Sequence, residues 1–216
     1  MNIGVLGTGM VGRTIGGRLI ELGHRVRLGS RSAGNEKAAE WVRTAGDRAS
    51  AGAFADAAAF GEVVFNCTEG GRSIEALTAA GSGNLAGKVL VDVANPLAAG
   101  ADGGGSLLFC NSESLGERIQ AAFPDARVVK SLNTMWCGLM VNPRLLDRTH
   151  VVYVCGNDAA AKSDVTALLR SFGWRDEEIL DLGDLSASRG TEMFLPLWLR
   201  LYGKFGTATF NVNIVR

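Results

Sequence analysis

A chain of 216 residues is long enough to bury one sizeable core, and a content of 47% hydrophobic and 20% charged residues is typical of a globular protein. Lys and Arg together number 22, as do Asp and Glu, so no net charge favours nucleic acid or an anionic membrane surface as a partner. The first predicted strand begins next to the N-terminus without a secretory leader, and no apolar run is long enough to span a bilayer. We therefore expect a cytoplasmic protein with no membrane or nucleic-acid partner.

The cysteines and histidines do not show a metal-binding spacing. The four cysteines lie far apart in the chain: Cys67, Cys110, Cys137 and Cys155. Cys67 and Cys155 fall within predicted strands, so we interpret the cysteines as small apolar side chains in a reducing compartment. The only histidines of the sequence, His24 and His150, are also far apart, and we therefore expect no metal ion.

A glycine-rich turn follows the first predicted strand. Residues 3–12 read I-G-V-L-G-T-G-M-V-G, which places the pattern G-x-G-x-x-G between a short apolar strand and an amphipathic helix. In this pattern Gly7 permits the tight turn, Gly9 lets the backbone approach a pyrophosphate, and Gly12 lets the helix pack closely on the sheet. The N-terminus of the helix then offers free N–H groups to the anion. The strand, turn and helix together predict a dinucleotide-binding site.

The end of the second predicted strand discriminates between the two nicotinamide dinucleotides. An NAD enzyme carries Asp or Glu at this position, where the carboxylate accepts a hydrogen bond from the ribose. This chain instead has Ser30 and Arg31, with Lys37 a few residues later. A cation attracts the 2′-phosphate that a carboxylate would repel, so the sequence predicts NADP. The alternative for Arg31 is a solvated surface side chain.

Strands and helices alternate along the rest of the chain. We predict helices over 10–22, 35–44, 72–80, 113–123 and 158–172, with a short alanine-rich helix ending at residue 59. We predict strands over 48–51, 62–67, 88–93, 127–132, 150–155 and 178–182. The pattern predicts an α/β fold with a doubly wound, mostly parallel Rossmann sheet, extended by two C-terminal strands and followed by a C-terminal helix. Residues 1–183 would form the dinucleotide-binding domain, and residues 184–216 a helix and tail that complete the site.

A glycine-rich segment, residues 97–106, directly follows Asn95 and Pro96 at the end of the fifth predicted strand. Ligands bind at this end of the strands in such sheets. The segment is either a mobile loop over a site or an insertion without a role.

The last predicted helix spans residues 185–202, and its segment 193–199 is apolar around nearly its whole circumference. Its run M-F-L-P-L-W-L at 193–199 must therefore be covered on most faces, and Pro196 should kink it. A second subunit would provide this cover in a homodimer, with Trp198 and Tyr202 as anchors. The alternative is that the helix packs wholly within its own subunit.

Four segments together resemble the family of NADP oxidoreductases that use the deazaflavin coenzyme F420. They are residues 3–12, 29–31, 128–134 and 195–197. The resemblance implies hydride transfer by alignment, without a catalytic side chain, and places Asn95 and Asn133 near the nicotinamide. It also implies that Thr8, Ser30, Arg31 and Lys37 hold the 2′-phosphate. The full set of cofactor-binding residues would be Gly7, Thr8, Gly9, Met10, Val11, Gly12, Ser30, Arg31, Lys37, Cys67, Thr68, Glu69, Ala94, Asn95 and Pro96.

The chain departs from this family after the sixth predicted strand. Members that use the deazaflavin tend to carry a His-Asn pair there, whereas this chain has Asn133 and Thr134, followed by the bulkier residues 135–140. The Asn-Thr pair resembles the reductase domain of membrane metalloreductases, which pass hydride to a flavin. The second substrate is therefore either the deazaflavin or another flavin-like acceptor.

Hydride transfer between a nicotinamide and a flavin-like ring needs alignment more than an acid or base. This agrees with the expectation that His24 and His150 open strands at the edge away from the ligand crevice. We interpret Lys130 as a packing or ion-pairing residue rather than a catalytic one. Two alternatives remain. One is an NADP(H)-binding redox sensor whose nicotinamide face is covered, for example by Trp136, and the other is an NADPH-dependent reductase of a small imine or carbonyl substrate.

Overall fold

Within the described residues, 1–98 and 105–215, eight strands form one sheet of the computed structural model. The strands are β1 (Asn2–Leu6), β2 (Arg25–Ser30), β3 (Ala49–Ala53), β4 (Val63–Asn66), β5 (Val89–Asp92), β6 (Arg127–Ser131), β7 (Val152–Gly156) and β8 (Ile179–Asp181). Their spatial order is β3-β2-β1-β4-β5-β6-β7-β8, and every neighbouring pair is parallel except β6 and β7. The predicted doubly wound, mostly parallel sheet with two additional C-terminal strands is confirmed.

Nine helices of the described residues surround this sheet. They are α1 (Met10–Glu21), α2 (Glu36–Ala45), α3 (Phe54–Phe60), α4 (Ser73–Ala80), α5 (Ser82–Leu85), α6 (Leu115–Ala122), α7 (Cys137–Val141), α8 (Ala159–Phe172) and α9 (Ser188–Phe205). Side-chain caps begin three of them: Asn35 accepts from the Ala38 amide, Asp158 from the Ala161 amide, and Ser114 from the Glu117 amide. Such caps satisfy amides that the first helical turn leaves without partners.

Each face of the sheet carries its own apolar core. In β5, Val89 and Val91 belong to the cluster on the face of α1 and α8, whereas Leu90 belongs to the cluster on the face of α3, α4 and α6. All three side chains are buried, as expected for a parallel strand covered on both faces. The strand order reverses between β1 and β4, and the open crevice of a doubly wound sheet lies at such a reversal.

The antiparallel strand β7 corrects one expectation. Val129 pairs with Gly156 and Ser131 pairs with Val154, so β7 begins beside the C-terminal end of β6. His150, just before β7, therefore lies at the crevice edge of the sheet, and its predicted position at the opposite edge is wrong. The ring is buried, with Nε2 2.9 Å from the Pro143 carbonyl oxygen and Nδ1 2.8 Å from Nδ2 of Asn211.

Several element boundaries differ from the predicted ones. Cys67 follows β4 instead of lying within it, and the short helices α5 and α7 were not predicted. Residues 99–104 of the predicted glycine-rich segment lie outside the described residues. On either side of them, Leu97 and Leu107 form an antiparallel bridge.

The C-terminal helix runs from Ser188 to Phe205, after a 3₁₀ turn that takes up the first three residues of the predicted range. The alternative that this helix packs wholly within its own subunit does not agree with its exposure in the single chain. The buried positions of α9 are confined to its first five residues, whereas Leu197 and Tyr202 are 53% and 47% exposed. The helix continues through Pro196.

Candidate functional site

The glycine-rich turn after β1 leaves room for an anion. Gly7 has a φ of +117°, and a Cβ there would lie 2.5 Å from the Cys67 carbonyl oxygen. A Cβ on Gly12 would lie 2.1 Å from the Gly7 carbonyl oxygen, whereas one on Gly9 would meet nothing within 4 Å. The first turn of α1 has neither a side-chain cap nor an acidic residue. Its free amides and the open space at Gly9 therefore suit a pyrophosphate.

Two adjoining cavities lie across the crevice. The first, of about 310 Å³, is the β2-side cavity, and its lining includes Thr8, Gly9, Arg31, Phe54, Arg72 and Ala76. The second, of about 270 Å³, is the β6-side cavity, and its lining includes Val11, Asn95, Asn133, Met135, Leu195 and Trp198. Both cavities share Cys67, Thr68 and Glu69. The segment after β4 thus joins them into one groove along the C-terminal ends of the strands.

Most of the predicted site residues line this groove. They are Gly7, Thr8, Gly9, Val11, Arg31, Cys67, Thr68, Glu69, Ala94, Asn95 and Asn133. The predicted residues that are not among its described lining are Met10, Gly12, Ser30, Lys37 and Pro96. Ser30 is buried and its hydroxyl donates to the Ser32 carbonyl at 2.5 Å, while Lys37 is exposed on the first turn of α2.

A second arginine lines the β2-side cavity beside Arg31. Arg72 lies between two carboxylates, with Nε 3.9 Å from Glu69 and Nη1 3.5 Å from Glu75. Sequence reasoning did not assign Arg72 to the site; Arg31 directly follows β2, whereas Arg72 ends the 3₁₀ turn Gly70–Arg72 that follows β4. Because parallel strands end at the same edge, a cation shortly after each of two strands is the signal that could have found it.

A buried polar cluster holds the segment after β4. Thr68 Oγ1 donates to Asn66 Oδ1 at 2.7 Å and lies 2.9 Å from Ser73 Oγ, and Asn66 Nδ2 donates to Asp92 at 2.8 Å. The neighbouring thiol takes no part in it. Burial and the Asp92 charge raise the pKa of Cys67, so this thiol is neutral and is not a candidate nucleophile.

Two asparagines meet where β5 and β6 end. Asn95 Nδ2 donates to the Asn133 carbonyl oxygen at 2.7 Å, and Asn133 Nδ2 donates to Asn95 Oδ1 at 2.9 Å. Leu132, which precedes Asn133, has a φ of +66° and is buried. A non-glycine residue in this region is costly and persists where its surroundings hold it, often at functional sites.

Lys130 is an ion-pairing residue, as predicted. Its buried Nζ donates to Asp92 at 2.7 Å and to the Ala94 carbonyl oxygen at 2.5 Å, and it lies 2.8 Å from Glu192. Burial alone would lower the pKa of Lys130, but the charges of the two carboxylates raise it. An ammonium has three hydrogens, and three oxygens lie within 2.8 Å of this one. Lys130 therefore has no hydrogen left to offer a substrate.

The β6-side cavity is bounded mainly by apolar side chains. Trp136 is not among its described lining and packs against Gly138 instead, where a Cβ would meet the indole ring at 2.3 Å. The face beside Asn95 and Asn133 is therefore not covered by that tryptophan. Trp198 lines the cavity and stacks on Tyr202 and Phe210 at 5.5 and 5.4 Å. Its role as an anchor of a homodimer stays a prediction.

Neither a metal cluster nor a membrane-spanning helix is found among the described residues. They contain no cluster of three or more His, Cys, Asp or Glu side chains that could hold a metal ion. Among the helices of the same part of the chain, none combines the length and apolar character that crossing a membrane requires.

A doubly wound sheet with an anion-binding turn at its strand-order reversal defines a dinucleotide-binding protein. Residues 2–96 match the family model described as NADP oxidoreductase coenzyme F420-dependent. The structure of a proposed F420-dependent NADP-reductase from Arthrobacter sp. FB24 is 50% identical, covers 99% of each chain and superimposes with a TM-score of 0.93. The chain belongs to the family of F420-dependent NADP oxidoreductases. It is an NADP-dependent oxidoreductase, and the predictions of this family and of NADP are confirmed.

Other relatives are more distant or longer. The metalloreductase STEAP3 of Rattus norvegicus is 32% identical over 207 residues, which are 91% of this chain and 37% of that protein. For the metalloreductase STEAP2 of Homo sapiens the match is 33% over 117 residues, 53% of this chain and 21% of that protein. The chain thus spans little more than a third of these relatives at most. A reductive aminase from Aspergillus terreus in complex with NADPH and ethyl levulinate is 19% identical, with 95% and 62% coverage and a TM-score of 0.67, which shows the fold alone.

Proposed function

We propose that this oxidoreductase transfers hydride between NADPH and a deazaflavin, coenzyme F420, or another flavin-like acceptor. The observation that carries the proposal is the continuity of the two cavities through Cys67, Thr68 and Glu69. An extended dinucleotide needs one groove that crosses the ends of the central strands, with its pyrophosphate at the N-terminus of α1. The adenosine half would then lie in the β2-side cavity and the nicotinamide half in the β6-side cavity.

The β2-side cavity supports recognition of the 2′-phosphate. Arg31 lines it and is exposed, so its guanidinium is available for a bidentate contact. We propose that Thr8, Ser30 and Lys37 are further members of this phosphate site. Thr8 lines the cavity, whereas a contact from Ser30 would require its hydroxyl to leave the Ser32 carbonyl.

The nicotinamide half would lie along the ends of β4, β5 and β6. Ala94 and Asn95 line this part of the groove, and Pro96 accepts from the Leu108 amide at 2.8 Å, which holds the turn in place. When bound, NADPH supplies a hydride, and its transfer depends on close approach and alignment. The paired carboxamides of Asn95 and Asn133 would orient the nicotinamide, and the surrounding apolar side chains would exclude water.

The lining of the β6-side cavity favours a flat aromatic acceptor over a small imine or carbonyl. Met135, Met140, Leu195 and Trp198 provide apolar surface on which a flavin-like ring can lie. Reduction of a carbonyl needs a proton donor at the substrate oxygen. Glu69 is the one charged side chain among the described lining residues, and none of them is His, Lys or Tyr.

The exposed face of α9 supports a homodimer. Met193, Leu197, Tyr202 and Phe205 are between 38% and 56% exposed on this helix. We propose that a second copy of the chain covers them, and that residues 184–216 form the unit that both closes the site and pairs the subunits. The remainder, residues 1–183, would be the dinucleotide-binding domain.

An absorbance assay with purified protein tests the proposed reaction. NADPH oxidation is followed with coenzyme F420, FMN, FAD, a small imine or a small ketone as acceptor, with NADH in place of NADPH as the control. Turnover with the deazaflavin or a flavin, and preference for NADPH, is the expected result. Turnover only with a small imine or ketone would replace this proposal with the organic-substrate reductase. NADPH binding without turnover of any acceptor would favour the redox sensor.

A further inference from the structure

Lys130 joins three parts of the fold with one ammonium group. Its Nζ lies 2.7 Å from Asp92 at the end of β5, 2.5 Å from the Ala94 carbonyl oxygen in the following turn, and 2.8 Å from Glu192 on α9. The exposed fraction is 0% for the side chains of Lys130 and Asp92 and 2% for that of Glu192. The end of β5 with its following turn, on one side of the β6-side cavity, and helix α9, on the other side, thus share one buried contact.

Two carboxylates, Asp92 and Glu192, face the single ammonium of Lys130. Backbone and side-chain amide donors balance the additional negative charge. Glu192 accepts from the backbone amides of Leu115 at 2.8 Å and Gly116 at 3.1 Å, at the N-terminus of α6. Asp92 accepts from Asn66 at 2.8 Å and from the Ala94 amide at 3.2 Å. Buried ion pairs contribute little net stability compared with apolar residues of similar size, because desolvation offsets their attraction. A role in defining geometry accounts for this cluster better than a role in stability does.

Glu192 is also the last buried residue of α9. The buried positions of this helix are Ser188, Thr191 and Glu192. Leu195 and Trp198, which line the β6-side cavity, follow within the next two turns. The positions of Leu195 and Trp198 therefore depend on the buried contact of Glu192 with Lys130.

We propose that Glu192 is a positioning residue for hydride transfer. Through Lys130 it holds Leu195 and Trp198 at a set distance from the Ala94–Asn95 turn, and so fixes the gap in which the acceptor ring meets the nicotinamide. This inference rests on the proposed function. A displacement of about 1 Å in such a gap can cost on the order of 10²-fold in rate.

The test compares Glu192→Gln with Glu117→Gln. Glutamine keeps the shape of Glu192 but offers one acceptor oxygen where the carboxylate offers two, so it cannot serve Lys130 and both α6 amides equally well. Glu117 also joins α6 to α9, because Arg189 Nε donates to it at 2.8 Å, but it does not contact Lys130. The control thus removes a charged contact between the same two helices and leaves the Lys130 cluster intact.

We expect Glu192→Gln to lower kcat at least about tenfold with the acceptor that the wild type uses, while the NADPH dissociation constant changes less than about twofold. Hydrogen exchange should become faster both in residues 193–205 and in residues 94–97. The control variant should match the wild type in kcat and in exchange of residues 94–97. Equal kcat in Glu192→Gln and wild type, or the same loss in both variants, would overturn the inference.

The test remains decisive if Glu192→Gln does not fold, and also if the wild type shows no turnover. If Glu192→Gln does not fold, the double variant Lys130→Met/Glu192→Gln removes one charge of each sign and leaves Asp92 its donors from Asn66 and Ala94. It should fold and bind NADPH but show the same loss of kcat, and full activity would refute the positioning role. If the wild type turns over no acceptor, the proposed function fails. In that case hydrogen exchange still tests whether Glu192 is coupled to the turn at residues 94–97. Unchanged exchange of these residues in Glu192→Gln would refute this coupling.

Discussion

The side-chain amides of Asn95 and Asn133 hold the ends of β5 and β6 together by a two-way exchange. Asn95 Nδ2 donates to the Asn133 carbonyl oxygen at 2.7 Å, and Asn133 Nδ2 donates to Asn95 Oδ1 at 2.9 Å. Each carboxamide uses one N–H of its NH₂ group in this exchange and keeps a second. Because both residues line the β6-side cavity, these hydrogens are suited to the polar groups of a nicotinamide.

Replacement of Asn133 by alanine tests this arrangement. Asn133→Ala leaves Asn95 Oδ1 without its side-chain donor, so the Asn95 side chain is held only by its bond to the backbone carbonyl oxygen of residue 133. A positioning hydrogen bond is worth about 1–1.5 kcal/mol, so we expect kcat to fall about tenfold while NADPH affinity changes less than about threefold. Stopped-flow measurement of NADPH oxidation, with equilibrium titration of NADPH, separates the two effects. Asn84→Ala is the control, because Asn84 donates to the Ala80 carbonyl oxygen at 2.8 Å away from the groove. An unchanged kcat in Asn133→Ala would contradict the orienting role.

The dinucleotide half of the site could be predicted from sequence because its signals are local. The glycine pattern around Gly7 and the Arg31 cation lie within one strand–helix–strand unit, where spacing along the chain defines spacing in the fold. The contact between Lys130 and Glu192 was not predicted. It joins residues that are far apart in sequence, and its local signal is a glutamate directly before the apolar run 193–199.

Strand direction was the other feature that the sequence pattern left open. An apolar run such as residues 150–155 indicates a strand but not its direction. A parallel connection usually needs a long crossover helix, whereas the chain between β6 and β7 contains only α7 and a 3₁₀ turn over Pro143–Leu145. The lack of a predicted helix between residues 132 and 150 was therefore a signal for the antiparallel pairing. That pairing places His150 at the crevice edge of the sheet.

Arginine 31 should determine the preference for NADP. In Arg31→Ala we expect NADPH binding to weaken at least tenfold with NADH binding nearly unchanged, because a charge-assisted contact to phosphate is worth roughly 1.5–3 kcal/mol. Fluorescence titration with both dinucleotides measures the ratio. Arg43→Ala, at an exposed position in the last turn of α2, should bind both as the wild type does. Equal losses for NADPH and NADH in Arg31→Ala would show that the arginine does not read the 2′-phosphate.

Gly12 and Gly17 both lie in α1 but differ in the space that is available to a Cβ. A Cβ on Gly12 would lie 2.1 Å from the Gly7 carbonyl oxygen, so Gly12→Ala must displace the helix from the turn. We expect a loss of about 1–3 kcal/mol in the free energy of unfolding, together with weaker NADPH binding. A Cβ on Gly17 meets nothing within 4 Å, and alanine is favoured over glycine in a helix by about 1 kcal/mol. Gly17→Ala should therefore be neutral or stabilising. Urea unfolding with and without NADPH compares the two, and similar behaviour of both variants would refute the close-packing argument.

The outer face of α9 should control the oligomeric state. Leu197 is 53% exposed and lies one position before Trp198, which lines the cavity. If a second copy covers this face, Leu197→Asp buries an unpaired charge in the interface and should yield monomers by light scattering. Leu145→Asp changes a leucine of similar exposure, 49%, outside α9 and should leave the mass unchanged. A dimer that survives Leu197→Asp would assign the interface to another surface.

Glu178 should make stability depend on pH in the acid range. Its side chain is buried, which opposes ionisation, but hydrogen bonds from the Arg144 side chain and the Arg175 amide hold its pKa below the ordinary value of 4.5. A lowered pKa in the folded state stabilises the protein above the ordinary value, and this contribution is lost as the pH falls through the folded-state pKa. We expect Glu178→Gln to lower the free energy of unfolding by about 1–3 kcal/mol near pH 7, and the difference from wild type to shrink below about pH 4.5.

Asp176→Asn removes a neighbouring exposed carboxylate that pairs with Arg170, and it should cost no more than about 1 kcal/mol. Urea unfolding across this pH range measures both variants, and a difference between wild type and Glu178→Gln that stays constant on acidification would contradict the assignment.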